Sequence, residues 1–187
     1  MTRALNGMNE NELESLLKDM GYPRFRASQL FHFFHKERKI DISNANVLPK
    51  DLINKLRNFD VNYAKIETVL ESKDGSKKYL LALNDGAMIE TVYMPYEDRS
   101  TLCVSSQVGC KMGCKFCAST KVTFVRSLKA EEILSEIYVV EKDTNRNINN
   151  IVIMGIGEPL DNYDEVIRFI KLATSVNGKN MSERNIT

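Results

Sequence analysis

The apolar side chains of the first sixty residues recur at helical spacing. Positions 13 to 20 carry four of them at i, i+3, i+4 and i+7, which predicts a helix with one buried face. Asn9 and Glu12 stand just before that run and form the sequence pattern of a capping box. The same spacing predicts helices over 26–37 and 50–58. Residues 1–60 are therefore expected to form a small helical domain.

A strand-like pattern replaces the helical one after residue 60. Stretches rich in β-branched residues are separated by Asp74-Gly75 and by the Asn-Asp-Gly sequence at 84–86. Asp-Gly between such stretches is a strong hairpin signal, because the favoured turns need positive φ. The pattern predicts a three-stranded antiparallel meander over 61–97.

Apolar strands and amphipathic helices alternate in the remaining sequence. Short strands are predicted over 101–106 and 150–156, and helices over 130–142 and 162–175. A further strand is expected to begin at 185–187. This order predicts βαβ units with parallel strands, whose carboxyl ends are where such folds collect functional residues.

The predicted fold class is therefore α/β, with three parts. A helical domain (1–60) is followed by the antiparallel meander (61–97). The last part (98–187) is expected to be the first portion of a partial (β/α) barrel.

Composition agrees with a globular chain. Of 187 residues, 43% are hydrophobic and 27% are charged. No stretch reaches the apolar length of a membrane helix, and the N-terminus has no signal-peptide pattern, so we expect a cytoplasmic protein without a membrane partner. Of the four cysteines, three are crowded into one segment, which favours a metal site over a disulfide scaffold.

The net charge of +1 conceals an uneven distribution. Between residues 99 and 130 there are six basic residues and no acidic one: Arg99, Lys111, Lys115, Lys121, Arg126 and Lys129. Such a run is either a solvated basic face or a positive rim that attracts a polyanion. Charge alone does not choose between these two interpretations.

Cys110, Cys114 and Cys117 are spaced C-x3-C-x2-C. Three thiolates can bind three irons of a [4Fe–4S] cluster and leave the fourth iron open for chemistry. A structural zinc site that includes Cys103 and a redox pair of Cys114 and Cys117 are the alternatives. The spacing favours the cluster, because zinc ribbons pair two separated C-x2-C knuckles and a redox pair leaves Cys110 unexplained.

The same spacing resembles that of the radical S-adenosylmethionine (SAM) superfamily. There the open iron binds SAM, and an electron from the cluster cleaves the cofactor to a 5′-deoxyadenosyl radical. Gly-Ile-Gly-Glu-Pro at 155–159 resembles the superfamily's Gly-Glu-Pro motif. By this resemblance Gly157 and Glu158 bind the methionine part of SAM, which agrees with the close approach that glycine allows and the attraction of a carboxylate for an ammonium group.

Three further segments resemble the RlmN family of dual-specificity RNA adenine-C2 methyltransferases. They are Thr-Leu-Cys-Val-Ser-Ser-Gln-Val-Gly-Cys at 101–110, Ile-Glu-Thr-Val-Tyr-Met-Pro at 89–95 and Gly-Tyr-Pro-Arg-Phe-Arg-Ala-Ser-Gln-Leu at 21–30. The resemblance implies a radical SAM barrel with a helical, RNA-binding accessory domain. It also implies 23S rRNA and possibly tRNA as substrates, an electron donor such as flavodoxin, and a monomeric full-length enzyme.

The resemblance also assigns residue roles. Cys110, Cys114 and Cys117 would bind the cluster, Glu90 would accept the proton from adenine C2, and Cys103 would resolve a protein–RNA intermediate by forming a disulfide. In that route the methyl group is carried by a further cysteine. Without the family, Glu90 is a solvent-facing strand residue and Cys103 a small buried hydrophobe.

The sequence departs from the family pattern in two respects. None of the four cysteines corresponds to the methyl-carrying one, so we expect a C-terminally truncated chain that is inactive alone. Thr123 and Ser127 stand where glycine and asparagine are expected. A C8-methylating relative and a non-enzymatic zinc- or RNA-binding module remain alternative functions.

Overall fold

The computed structural model describes residues 3–187, and the side chains of Thr120 and Lys121 lie outside the description. Lys121 of the basic run therefore has no structural assignment. The chain forms two compact units. One contains the chain up to Asn62 together with Leu172–Asn180, and the other contains Tyr63–Lys171 together with Met181–Thr187.

The first unit is helical, as predicted. It contains α1 (Glu10–Asp19), α2 (Phe25–His35) and α3 (Lys50–Leu56). The capping box of α1 is confirmed, because Asn9 Oδ1 accepts a hydrogen bond from Glu12 N at 3.0 Å and Glu12 Oε2 accepts one from Asn9 N at 2.8 Å. The second and third helices end two residues earlier than their apolar spacing predicts.

A buried histidine lies within the core of this helical unit. His35 is 1% exposed at the end of α2, where its ring stands 4.4 Å from the ring of Phe31. Burial lowers the pKa of His35 from 6.5 to about 3. The segment Leu172–Asn180 closes over it, since a Cβ on Gly178 would lie 3.2 Å from His35 Cβ.

The second unit is built on one five-stranded sheet in the order β1-β2-β3-β4-β7. Its strands are β1 (Lys65–Glu71), β2 (Lys77–Ala82), β3 (Met88–Pro95), β4 (Ser100–Cys103) and β7 (Asn150–Val152). The predicted meander is present as β1, β2 and β3. It continues into β4, which pairs antiparallel with β3 and parallel with β7. The meander and the parallel strands therefore form a single sheet.

The parallel strands are shorter than their apolar runs predict. The run 150–156 forms a strand only to Val152, because the following residues turn towards the end of β4. The segment predicted over 101–106 is a strand only to Cys103. The strand expected at 185–187 is present as one parallel bridge between Ile151 and Ile186.

One helix, a second helix as far as Lys171 and a small ladder complete this unit. α4 (Ala130–Thr144) and α5 (Tyr163–Thr174) follow the parallel strands, and β5 (Gln107–Val108) pairs antiparallel with β6 (Arg126–Ser127). Buried Tyr79 donates to Asp143 Oδ2 at 2.7 Å and so joins the end of α4 to the sheet. Within the described residues, no helix has the length and apolar content needed to cross a bilayer.

His35 makes stability depend on pH in a predictable direction. Its pKa is lower in the folded chain than in the unfolded one, so the unfolded chain binds the extra proton and stability falls as the pH falls below 6.5 towards 3. Between about pH 7.5 and about pH 5.5 this one proton removes about 1.4 kcal/mol of unfolding free energy. Urea unfolding at the two pH values measures the loss.

His35→Leu is expected to remove that part of the pH dependence. His32→Leu is the control, because His32 is half exposed and lies 3.5 Å from Glu37 at the surface. Equal pH dependence in the native chain and in His35→Leu would contradict the prediction.

Candidate functional site

The thiol segment is a loop closed at its base. We call residues 109–124 the thiol loop; β5 and β6 form the ladder at its two ends. Val125 N donates to Val108 O at 2.8 Å and continues that ladder. Gly109 has φ +74°, and a Cβ there would lie 2.2 Å from Thr123 O. The two arms of the loop therefore touch backbone to backbone, and only glycine fits at position 109.

The three loop cysteines form no disulfide, and their side chains are exposed to solvent to different degrees. Cys114 is exposed, Cys110 and Cys117 are half-buried, and Cys117 N donates to Cys114 O at 3.1 Å. Cys103 is also free, so the disulfide expected from the resemblance is not present among the four cysteines.

The donor set fits an iron–sulfur cluster. Three unoxidised thiols on one glycine-turned loop are the ligands that such clusters use. Among the described residues, no three His, Cys, Asp or Glu side chains converge on one point as the ligands of a single ion do. A [4Fe–4S] cluster places a different iron at each thiolate and does not need that convergence.

The segment 155–159, which we call the glycine-rich turn, lies against residues 104–107, the segment that leads into the thiol loop. A Cβ on Gly155 would lie 2.7 Å from Val104 O. Gly157 has φ +109°, and a Cβ there would lie 2.7 Å from both Gln107 Cβ and Ser106 Oγ. The two segments can approach this closely only because both positions lack a side chain.

Glu158 belongs to this turn. Its carboxylate accepts a hydrogen bond from Leu160 N at 3.0 Å and caps the 3-10 turn Pro159–Asn162. Asn162, at the end of that turn, donates to Ser106 O at 2.9 Å and to Leu128 O at 2.8 Å. Asn162 therefore joins the turn to the residue just before β5 and to the residue just after β6, on either side of the thiol loop.

Glu90 and Cys103 lie on the same face of the sheet. Val92 stands opposite Cys103 in the β3–β4 register, and Glu90 shares the face of Val92 because it is two residues away on the same strand. Lys78 Nζ lies 2.8 Å from Glu90 Oε1 on this face. Burial raises the pKa of the Cys103 thiol. We call this side of the sheet the open face.

Hydrogen bonds from Thr91 and Ser105 hold the backbone carbonyls of this pair in place. Thr91 Oγ1 donates to Cys103 O at 2.6 Å, and Ser105 Oγ donates to Glu90 O at 2.6 Å. Ser105 N donates to Glu136 Oε2 of α4 at 3.1 Å, and burial raises the pKa of Glu136 well above its ordinary value. Sequence reasoning missed Thr91, Ser105 and Glu136, and the polar Ser-Ser-Gln run at 105–107 is a signal for Ser105 alone.

Two residues of the basic run are paired with acidic side chains. Arg126 makes two 2.8 Å hydrogen bonds to the Glu132 carboxylate and one to Asp85 at 2.8 Å. Lys111 Nζ lies 3.0 Å from Asp161 Oδ2. Acidic residues outside the run therefore pair with two of its six basic residues, and its interpretation as a positive rim that attracts a polyanion stays a prediction.

The structure thus brings together β3, the segment that leads into the thiol loop and the glycine-rich turn. Ser105 Oγ accepts a hydrogen bond from Ile156 N at 3.0 Å while it donates to Glu90 O, so it joins β3 to the glycine-rich turn. Ser106 N and Gln107 N both donate to Ile156 O, at 2.9 and 3.1 Å. The thiol loop begins directly after these residues.

Comparisons with known proteins match both ends of the chain. The family described as "Radical SAM superfamily" matches residues 104–185, and that described as "Ribosomal RNA large subunit methyltransferase N-terminal domain" matches residues 4–61.

Curated relatives match over nearly the whole chain. A "Probable dual-specificity RNA methyltransferase RlmN" of Finegoldia magna is 47% identical over 98% of this chain and 53% of that protein. A protein of the same description from Clostridioides difficile is 44% identical over 98% of this chain and 54% of that protein. The chain spans about half the length of the curated relatives it matches.

A solved structure matches the fold. The crystal structure of a radical SAM methyltransferase from Sphaerobacter thermophilus has a TM-score of 0.90 and 36% sequence identity. The match covers 99% of this chain and 56% of that one.

Two glycines of the thiol loop allow the backbone contact to be tested. Gly109 and Gly113 have similar φ angles, +74° and +71°, but only a Cβ at Gly109 meets another atom within 4 Å. Gly113→Ala is expected to cost about 1 kcal/mol from the φ angle alone. Gly109→Ala is expected to cost roughly 1–3 kcal/mol more, because the obstructing atom belongs to the backbone. Urea unfolding measures both values, and equal losses would contradict the contact.

Proposed function

We propose that this chain, which belongs to the RlmN family of the radical SAM superfamily, takes part in methylation of adenine C2 in 23S rRNA, with tRNA as a second substrate. The observation that carries the proposal is the contact of the thiol loop's entry segment with the glycine-rich turn. Both follow parallel strands, β4 and β7, so they meet at the carboxyl edge of the sheet where α/β folds bind their cofactors.

Cys110, Cys114 and Cys117 are proposed as the ligands of the [4Fe–4S] cluster. When bound, the cluster supplies the electron that cleaves SAM. The chain's own contribution is a loop closed by a β ladder at its base, which holds three thiols within a short segment. Thiolates rather than thiols bind metal, so cluster binding releases their protons.

Gly157 and Glu158 are proposed to bind the methionine part of SAM. The missing side chain at Gly157 lets the turn lie directly against the side chains of Ser106 and Gln107, and the Glu158 carboxylate offers oxygen atoms to an ammonium group. The bond from Leu160 N orients that carboxylate at the start of the 3-10 turn.

Glu90 and Cys103 are proposed as the catalytic pair on the open face. A carboxylate held beside the Lys78 ammonium group can accept the proton that leaves adenine C2. The raised pKa of Cys103 keeps its thiol protonated until a base removes the proton. Their shared face gives one RNA base access to both groups.

The remaining parts of the proposal concern domains and partners. We assign RNA binding to the helical part (1–60), a linking role to the meander (61–97) and radical chemistry to the barrel portion (98–187). An electron donor such as flavodoxin, a monomeric full-length enzyme and a cytoplasmic location complete it. The match of residues 4–61 to a ribosomal RNA methyltransferase domain supports the first assignment.

Anaerobic reconstitution tests the cluster. The chain is expected to bind about four irons and turn brown. Alanine at Cys110, Cys114 or Cys117 should lower the iron content sharply. Cys103→Ala is the matched control and should keep it, because Cys103 is not one of the proposed ligands. Colourless protein with one zinc per chain, lost on Cys103→Ala, would overturn the proposal in favour of a structural zinc site.

The chain alone is expected to produce no C2-methyladenosine. Its four cysteines are all assigned to the cluster or to Cys103, which leaves no thiol to carry a methyl group. Mass spectrometry of RNA nucleosides after incubation with SAM and reductant checks this. Detection of C2-methyladenosine would refute the assignment of at least one cysteine.

A further inference from the structure

Gln107 is a fully buried amide whose polar atoms are all engaged. It is 0% exposed. Its Oε1 accepts a hydrogen bond from Glu158 N at 3.1 Å, and its Nε2 donates to Asp161 Oδ2 at 2.8 Å and to Ser127 Oγ at 3.3 Å. A buried amide with these bonds is costly to disturb, because each lost partner leaves a desolvated polar group.

The two ends of this amide hold different parts of the candidate site. The oxygen holds the backbone of Glu158 in the glycine-rich turn. The nitrogen holds Asp161, whose carboxylate also lies 3.0 Å from Lys111 Nζ. Lys111 directly follows Cys110. The chain of contacts Glu158–Gln107–Asp161–Lys111 therefore connects the turn to the thiol loop.

The stem of Gln107 fixes the distance between these parts. Its Cβ and Cγ would lie 2.7 and 2.8 Å from a Cβ on Gly157. The turn consequently rests on the stem of the side chain while the amide holds it by a hydrogen bond. The stem limits how closely the turn approaches β5, and the hydrogen bond limits how far the turn moves away from it.

We propose that Gln107 is a positioning residue that fixes the glycine-rich turn relative to the thiol loop. The inference rests on the proposed function, since it supposes that the turn binds SAM and the loop binds the cluster. SAM must contact both at once, so a change in their separation weakens SAM binding even where each part keeps its own structure. A merely structural role for Gln107 would lower stability and leave SAM affinity unchanged in the folded fraction.

Gln107→Glu is the sharpest variant, because it keeps the shape and the acceptor for Glu158 N. It replaces the donor to Asp161 by a carboxylate oxygen, so two carboxylates face each other at the 2.8 Å contact. Asp161→Asn restores a donor–acceptor pair in the double variant. Asn149→Asp is the control: it makes the same amide-to-carboxylate change beside Ser100, at the opposite end of β4, and keeps the acceptor for Ser100 N.

Hydrogen–deuterium exchange on the metal-free chain tests the coupling without any cofactor. Gln107→Glu should speed amide exchange in both 109–117 and 155–161 and leave β2 unchanged, and the added Asp161→Asn should reverse the effect. Faster exchange in only one of the two segments, or equally in β2, would overturn the coupling. This experiment tests the coupling even if the chain binds no cluster.

SAM binding to the reconstituted chain tests the positioning role. Gln107→Glu should weaken SAM binding roughly tenfold, the loss expected for one hydrogen bond to a charged group, with unchanged iron content. The double variant should recover most of the affinity, and Asn149→Asp should match the native chain. Unchanged SAM affinity in Gln107→Glu, or no recovery in the double variant, would overturn the proposal. Native chain that holds iron but no SAM would instead refute the proposed function.

Discussion

The backbone of Gly155 lies against the carbonyl of Val104, and the rest of the candidate site depends on this contact. Val104 N donates to Val152 O at 2.9 Å, and Gly155 N donates to Val104 O at 3.0 Å. Regular pairing of β4 with β7 therefore ends here, and residues 155–156 are hydrogen-bonded to the segment 104–107 that follows β4. A side chain at Gly155 would fill the 2.7 Å gap and push the turn away.

A helix with inward acidic residues supports the sheet behind this site. α4 is amphipathic, yet Glu132 and Glu136 are almost fully buried. Glu132 holds the Arg126 guanidinium, and Glu136 accepts from Ser105 N. Burying carboxyl groups is unfavourable unless they are hydrogen-bonded, so each acts at a position where a loop or strand end needs a partner. The helix thus determines where the ends of β4 and β6 lie.

The proposed chemistry divides between two faces of one sheet. Glu90 and Cys103 occupy the open face, and hydrogen bonds from Thr91 on the other face and from Ser105 beyond the end of β4 hold their backbone carbonyls. Reactive groups are therefore accessible while their supports are dry and fixed, which is the arrangement that preorganised sites require. The thiol loop and the turn lie where this sheet's parallel strands end.

Local patterns determined the elements of this protein, and only the tertiary structure decided how they meet. The capping box of Asn9, the turn at Gly75 and the spacing of the thiols act over a few residues, so they can be read from the sequence. The early end of β7, the compensation of Arg126 and the role of Gln107 depend on partners 6 to 54 residues away. The spacing of residues along the sequence does not give the distance between such segments in the folded chain, because burial and backbone approach arise only when the chain folds.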